Sequence, residues 1–249
     1  MTSYTINQKF RAAPAGQAAA PCGDRMLKVA EMFGIGLDES YEVVLYDNLP
    51  IDVRPGDVVF VTGPSGSGKS VLLQGLVEAI REVHGAGARI VDLAAVGAGE
   101  ALRSVQRPVI DLMAGPLEPA LRLLSAAGLA DAFLLLRTPQ ELSDGQRWRL
   151  RLALALDALV GSSPVNTRVC DGLNVLVADE FCSTLDRLCA RAVAYRVRRF
   201  ATSQAVTVLA ASAHDDIAED LAPDVLVIKH EGRGIEVLYA DPSRAEAKP

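Results

Sequence analysis

The chain has 249 residues, half of them hydrophobic, and a formal net charge of −6. That suits one large α/β domain with a substantial core, with or without a small subdomain. The acidic balance leaves no global basic footprint for nucleic acid or anionic membrane, and no apolar run approaches the roughly 18 to 20 residues of a membrane-spanning helix.

Residues 1 to 23 contain no acidic residue and turn rich in Ala, Pro, Gly and Gln from Arg11 onward. The composition predicts a disordered N-terminal arm. It lacks the apolar stretch of a signal peptide, and it is too short and Arg-poor to read as a mitochondrial presequence. Asp24 then caps a helix over Arg25–Phe33, with Gly34 as its stop. Tyr41–Leu45 and Ile51–Val53 read as two strands, and Arg54-Pro55-Gly56-Asp57 as a turn into a third, Val58–Val61.

The next eight residues, Gly63-Pro64-Ser65-Gly66-Ser67-Gly68-Lys69-Ser70, form a complete phosphate-loop pattern between that strand and an amphipathic helix ending at His84. Glycines let successive backbone N–H groups turn inward toward phosphate oxygens, and the helix start adds its positive end. Lys69 can reach the β- and γ-phosphates of ATP, and the Ser70 hydroxyl can ligate Mg²⁺. A Gly-Ala-Gly break and a strand over Arg89–Leu93 follow. Residues 97 to 141 hold helical stretches such as Glu118–Ala127, broken by Pro and Gly. A strong helix runs from Gln146 to about Val160, and Gly161 to Asp171 is polar and turn-rich.

Leu173–Ala178 is a buried strand ending in Asp179 and Glu180. Such a strand delivers its last side chains to the edge of the sheet that holds the phosphate loop. There Asp179 would join the Mg²⁺ shell and Glu180 would polarise a water attacking the γ-phosphate. A basic helix, Arg187–Phe200, and two apolar strands, Val206–Ala210 and Val225–Ile228, complete the pattern. Strands alternating with helices predict a mainly parallel, doubly wound sheet. The four cysteines, Cys22, Cys170, Cys182 and Cys189, include no C-x-x-C pair and read as reduced thiols of a cytoplasmic protein.

Between the two acidic and phosphate motifs stands Leu142-Ser143-Asp144-Gly145-Gln146, followed by Arg147-Trp148-Arg149-Leu150. This resembles the signature of ABC-type ATPases. Ser183-Thr184-Leu185-Asp186 is similar to the family's D-loop, His214 to its switch histidine, and Tyr41 to its adenine-stacking aromatic. Gln106 is the best candidate for the Q-loop glutamine that helps hold the metal. The resemblance covers residues 24 to 240, with 97–145 as a short helical subdomain plus signature and 241–249 as a C-terminal tail. It implies a P-loop ATPase fold with a mainly parallel core sheet and an antiparallel β lead. It also implies a head-to-tail homodimer closed around two ATP molecules. Ser143, Gly145 and Gln146 of one protomer would face the phosphate loop of the other, His214 would contact the γ-phosphate, and Asp186 would couple the sites.

Three departures from the family stand out: Asp144 in place of a glycine, Phe181 in place of a proline, and the apparent insertion at 161–171. Only about 36 residues separate Gln106 from the signature, fewer than transporter subunits carry. The motif set looks most like soluble ABC ATPases, some of which are fused to an acetyltransferase-like domain. The first expectation is therefore a soluble ATP-driven machine acting on a protein or nucleic-acid partner. The alternatives are the ATP-binding subunit of a transporter, working with a membrane subunit, and a nucleotide-dependent module without turnover; Glu180 and His214 argue against the last. Arg147, Trp148, Arg149 and Arg151, with Arg187, Arg191, Arg196, Arg198 and Arg199, are expected to be solvated and ion-paired helix faces more than a nucleic-acid surface.

Overall fold

The computed structural model describes residues 2–12, 24–34, 41–97, 101–160, 172–230 and 234–244, with the backbone alone at 10–12 and 41–43. The N-terminal part contains β1 (Thr2–Ala12), α1 (Asp24–Phe33), β2 (Tyr41–Val53), β3 (Val58–Thr62), α2 (Lys69–His84) and β4 (Ala88–Asp92). After short helices α3 (Leu117–Ala126) and α4 (Ala132–Leu135) come α5 (Asp144–Val160), β5 (Leu173–Ala178), α6 (Arg187–Gln204) and β6 (Val206–Ser212). The chain ends with α7 (Ala218–Leu221), β7 (Val225–Lys229), β8 (Ile235–Tyr239) and a 3₁₀ turn at Pro242–Arg244.

Six strands form the central sheet in the order β4-β5-β6-β3-β7-β8, parallel except for the β7–β8 pair. The inner strands are buried on both faces, so they are apolar with little alternation: every residue of β3 and of β6 is buried. Alternate side chains then serve two cores. Val58 and Phe60 pack with α5, α6 and the short helices, and Val59 and Val61 pack with α2, β1 and β2.

Two expectations are corrected at the chain's ends. Residues 2 to 12, expected within a disordered arm, form β1, which pairs antiparallel along the whole of β2. The reason is a two-residue alternation that the later Ala/Pro-rich stretch obscures: Tyr4 and Ile6 point into the core and are 3% and 1% exposed. β2 itself is one strand, not two. Asn48 takes a left-handed turn of backbone and Pro50 lies within the strand, yet pairing with β1 runs past both. Pro is tolerated there because the two-stranded sheet leaves one edge of β2 free of ladder bonds. At the other end, residues 241–244 are part of the fold and not tail. Arg244 is buried and forks onto Asp57 at 2.8 and 3.2 Å, beside the β2–β3 turn. The 161–171 segment, Cys22, Cys170 and residues 13–23 and 245–249 lie outside the described residues.

Candidate nucleotide site

The site lies where β3, β5 and β6 end at one edge of the sheet. β3 leads directly into Gly63, β5 into Asp179 and Glu180, and β6 into the turn that carries His214. Parallel neighbours bring these ends together: β6 pairs with β3 on one side and β5 on the other.

The loop's glycines are demanded by its geometry. Gly63, Gly66 and Gly68 all have positive φ, and a Cβ on Gly63 would stand 2.2 Å from the Lys229 carbonyl oxygen. α2 starts with no side-chain cap, which leaves its first-turn N–H groups for an anion. Ser67 Oγ is buried with no hydrogen-bond partner among the described residues, a donor that suits an incoming oxygen. The Lys69 ammonium donates to the Gly63 and Pro64 carbonyls at 2.9 and 2.7 Å, which places it across the mouth of the loop. Pro64 and Ser65 are exposed.

Ser70 and Asp179 line one cleft of about 320 Å³ between α2 and the ends of β4 and β5. Hard oxygen donors of this kind fit Mg²⁺. Among the described residues no group of three or more His, Cys, Asp or Glu side chains converges on a metal, so an ion here would depend on phosphate and water for its remaining ligands. Two further acids line this cleft, Glu78 of α2 and, at the end of β4, Asp92. Nothing in the local sequence marks Asp92; the strand order alone puts it beside Asp179. Gln106 is not in this cleft. It is exposed and lines a separate cavity of about 580 Å³ with Arg103, Gln140 and Arg147, which corrects its expected place beside Ser70 and Asp179. Tyr41 begins β2, and its side chain lies outside the described residues.

Glu180 has φ of 51°, an uncommon conformation for a residue with a side chain, and its carboxylate is exposed. The turn is held by its neighbours: the Asp179 carboxylate accepts from Glu180 N at 3.0 Å, and Phe181 N donates to Ala211 O of β6 at 2.7 Å. Phe181 is fully buried and meets Trp148 of α5 edge-on, centroids 5.8 Å apart. His214 is exposed, with its backbone N–H on Ser212 Oγ at 3.2 Å.

The signature opens α5 with a reciprocal cap. Ser143 N donates to Gln146 Oε1 at 2.9 Å, and Gln146 N donates to Ser143 Oγ at 3.3 Å. A Cβ on Gly145 would meet Leu185 and the Thr184 carbonyl at 3.3 and 3.4 Å, so the signature glycine rests on the turn before α6. Asp186 caps α6 by accepting from Cys189 N at 2.9 Å. Asp144 is exposed and paired with Arg147, one turn along, and with Arg103 at 3.4 Å. Its hydrogen bond to Arg147, then that residue's charge, holds the carboxyl below its ordinary range. The basic residues are largely engaged within the fold: Arg149 donates to Gly128 O, Arg151 to Leu93 O and Val96 O, and Arg187, Arg191 and Arg198 pair with Asp216, Asp220 and Asp224.

No model of a known protein family matches the chain. Individual relatives do. The lipoprotein-releasing system ATP-binding protein LolD of Granulibacter bethesdensis is 30% identical, over 79% of this chain and 90% of the relative. The aliphatic sulfonates import ATP-binding protein SsuB 1 of Rhodococcus jostii is also 30% identical, over 85% and 84%. The phosphonates import ATP-binding protein PhnC of Hyphomonas neptunium is 29% identical, over 78% and 80%. Among solved structures, the dimeric bacterial ABC transporter cassette MJ0796 superposes with a TM-score of 0.57 at 14% identity, covering 96% of this chain and all of that one. The likeness to acetyltransferase-fused ATPases is not borne out by these relatives, which are named as ATP-binding proteins of import and release systems.

Proposed function

The chain belongs to the ATP-binding cassette family of ATPases, and we propose that the site just described runs its ATP hydrolysis with two protomers closed head to tail. What supports the reading is the meeting of three strand ends at one sheet edge, carrying the phosphate loop, the acid pair and His214. Residues Gly63 to Ser70 cradle the phosphates, with Lys69 and the uncapped start of α2 supplying positive charge. Ser70 and Asp179 would hold Mg²⁺, which neutralises charge on the phosphates when bound. Glu180 accepts a proton from the attacking water, and His214 orients that water against the γ-phosphate. The capped start of α5, with Ser143 and Gly145, offers the partner protomer's nucleotide a second set of anion-binding groups.

We infer that the ATPase drives a membrane-embedded partner. Among the described residues no helix is long and apolar enough to cross a membrane. The matched relatives are named for import and lipoprotein release, which favours a membrane-embedded partner over a soluble one. Tagged Glu180→Gln protein, held closed by ATP, should co-purify a multi-span membrane protein from solubilised membranes in ATP and release it in ADP. Recovery of only soluble protein or nucleic acid would reject the transporter subunit and leave the soluble machine.

A further inference from the structure

One buried cation beside the phosphate loop is unused by the roles above. Lys229 ends β7 and is 1% exposed, among the largest fully buried side chains in the molecule. Its main chain crosses Gly63 so closely that a Cβ on the glycine would lie 2.2 Å from the Lys229 carbonyl oxygen and 2.8 Å from the Lys229 Cβ. Its ammonium sits 4.9 Å from the centroid of the Tyr46 ring. The Tyr46 hydroxyl donates to the Gly68 carbonyl at 2.8 Å. Lys229 and Tyr46 thus join the first glycine of the loop to its last, through a path outside the loop's own chain.

The placement is electrostatically unusual. Among the described residues no carboxylate pairs with the Lys229 ammonium, which lies against the face of Tyr46. A buried cation normally carries a desolvation cost that a partner anion offsets, and an aromatic face offsets part of it. The anion this part of the fold is expected to receive is the phosphate chain of a nucleotide held by residues 63–70.

We propose that Lys229 and Tyr46 are positioning residues for the phosphate loop, and that the buried Lys229 charge strengthens binding of nucleotide phosphates. The proposal rests on residues 63–70 being the nucleotide site. It also sets a pH dependence. Burial pushes the Lys229 ammonium down from its ordinary 10.5, so it loses its proton earlier in the alkaline range than a free lysine. Phosphate favours the charged form, so affinity is full below that transition and falls as pH rises through it. The other groups that face this region are Tyr46 on β2, pushed up to about 12 by burial, and Lys69 at the start of α2. His230 and Glu236, on the β7–β8 side, face each other at 3.7 Å.

The test is ADP affinity with Mg²⁺, by isothermal titration calorimetry, for wild type, K229M, K229R, Y46F and K69A, with melting temperatures of the nucleotide-free proteins. ADP avoids turnover and closure of a dimer. K229M should weaken ADP about tenfold, the scale of one nearby charge in a partly screened site, without lowering the melting temperature. K229R should restore most of that loss. Y46F, which keeps the ring and loses the bond to Gly68, should weaken ADP about fivefold, the usual worth of one such hydrogen bond. Between pH 7.5 and 10, wild-type affinity should fall more steeply than that of K229R, because a guanidinium keeps its proton across that range. Wild-type affinity in K229M or Y46F would overturn the proposal. So would parallel pH profiles, or an equal loss in K229M and K229R together with a lowered melting temperature. If K69A binds ADP as wild type, the reading of the loop itself fails. If K69A loses ADP and K229M does not, the loop stands and only Lys229 is misassigned.

Discussion

Glu180 is the residue on which turnover should depend most. Its carboxylate is exposed at the end of β5 while the Asp179 side chain is engaged with the turn. Replacing it with Gln keeps the shape and removes the base. Glu180→Gln is expected to bind ADP like wild type and to slow single-turnover hydrolysis by about 10² to 10⁴; wild-type turnover would place the base elsewhere. Asp144 makes a subtler case. A carboxylate at the start of the signature helix would repel a partner's γ-phosphate, and here Arg147 and Arg103 answer its charge. Arg147→Ala should therefore depress ATPase activity more than Arg147→Ala combined with Asp144→Gly, since the second change removes the charge left uncovered. Steady-state rates of the four proteins of that cycle decide it, and equal losses in both would mean Arg147 acts through something other than Asp144. Arg147 was within reach of Asp144 on the sequence alone, since three residues along a helix make about one turn. The second arginine, Arg103, was not, because 41 residues separate it from Asp144 and only the fold brings them together. Phe181 follows the same logic: alone it read as a departure, and beside Trp148 it is half of an aromatic contact tying the signature helix to the acid turn.

At the scale of elements, the strands and helices that carry the site were legible because each has an undiluted signal. β3, β5 and β6 are mostly apolar, with Asn174 and Thr207 as the polar residues inside them, and α2 and α5 follow recognisable starts. The elements that escaped are half-exposed edges. In β8, Ile235, Val237 and Tyr239 are half-buried and Glu236 and Leu238 are exposed, too short an alternation to separate from a loop. β1 was hidden by the composition that follows it, although it closes the core over α2. Gly75 of α2 marks that contact, since a Cβ there would lie 2.8 Å from Ile6 Cγ2. Ile6→Ala should cost about 2 to 4 kcal/mol of stability, measured by urea unfolding, as the usual price of truncating a fully buried aliphatic side chain. An unchanged midpoint would mean β1 is not part of the cooperative fold. Asp92 was missed for a different reason. An acid at a strand end is common, and only the order β4-β5-β6-β3 sets this one next to Asp179.

For the whole molecule, the arrangement argues that one protomer is an incomplete machine. The phosphate loop and the acid pair share one sheet edge, while the anion-binding start of α5 rests its glycine on Thr184 and Leu185, after the acid turn. Two copies related head to tail would bring each signature to the other's loop, so ATP should bridge them and ADP, lacking the γ-phosphate, should release them. The net charge of −6 on each chain opposes association. The dimer should therefore be weak without nucleotide and should tighten as moderate salt screens that repulsion. Ser143→Arg is the decisive variant, since it drives bulk into the partner's phosphate site. It also removes half of the cap on α5, a loss of about 1 kcal/mol, so its melting temperature and ADP affinity must be shown to survive. Light scattering should find Glu180→Gln dimeric in ATP and monomeric in ADP, and Glu180→Gln combined with Ser143→Arg monomeric in both. In the wild type, hydrolysis per protomer should rise with protein concentration until the dimer saturates. A monomer in both nucleotides, hydrolysing at a rate independent of concentration, would mean that each chain works alone and that the signature serves only as the cap of its own helix.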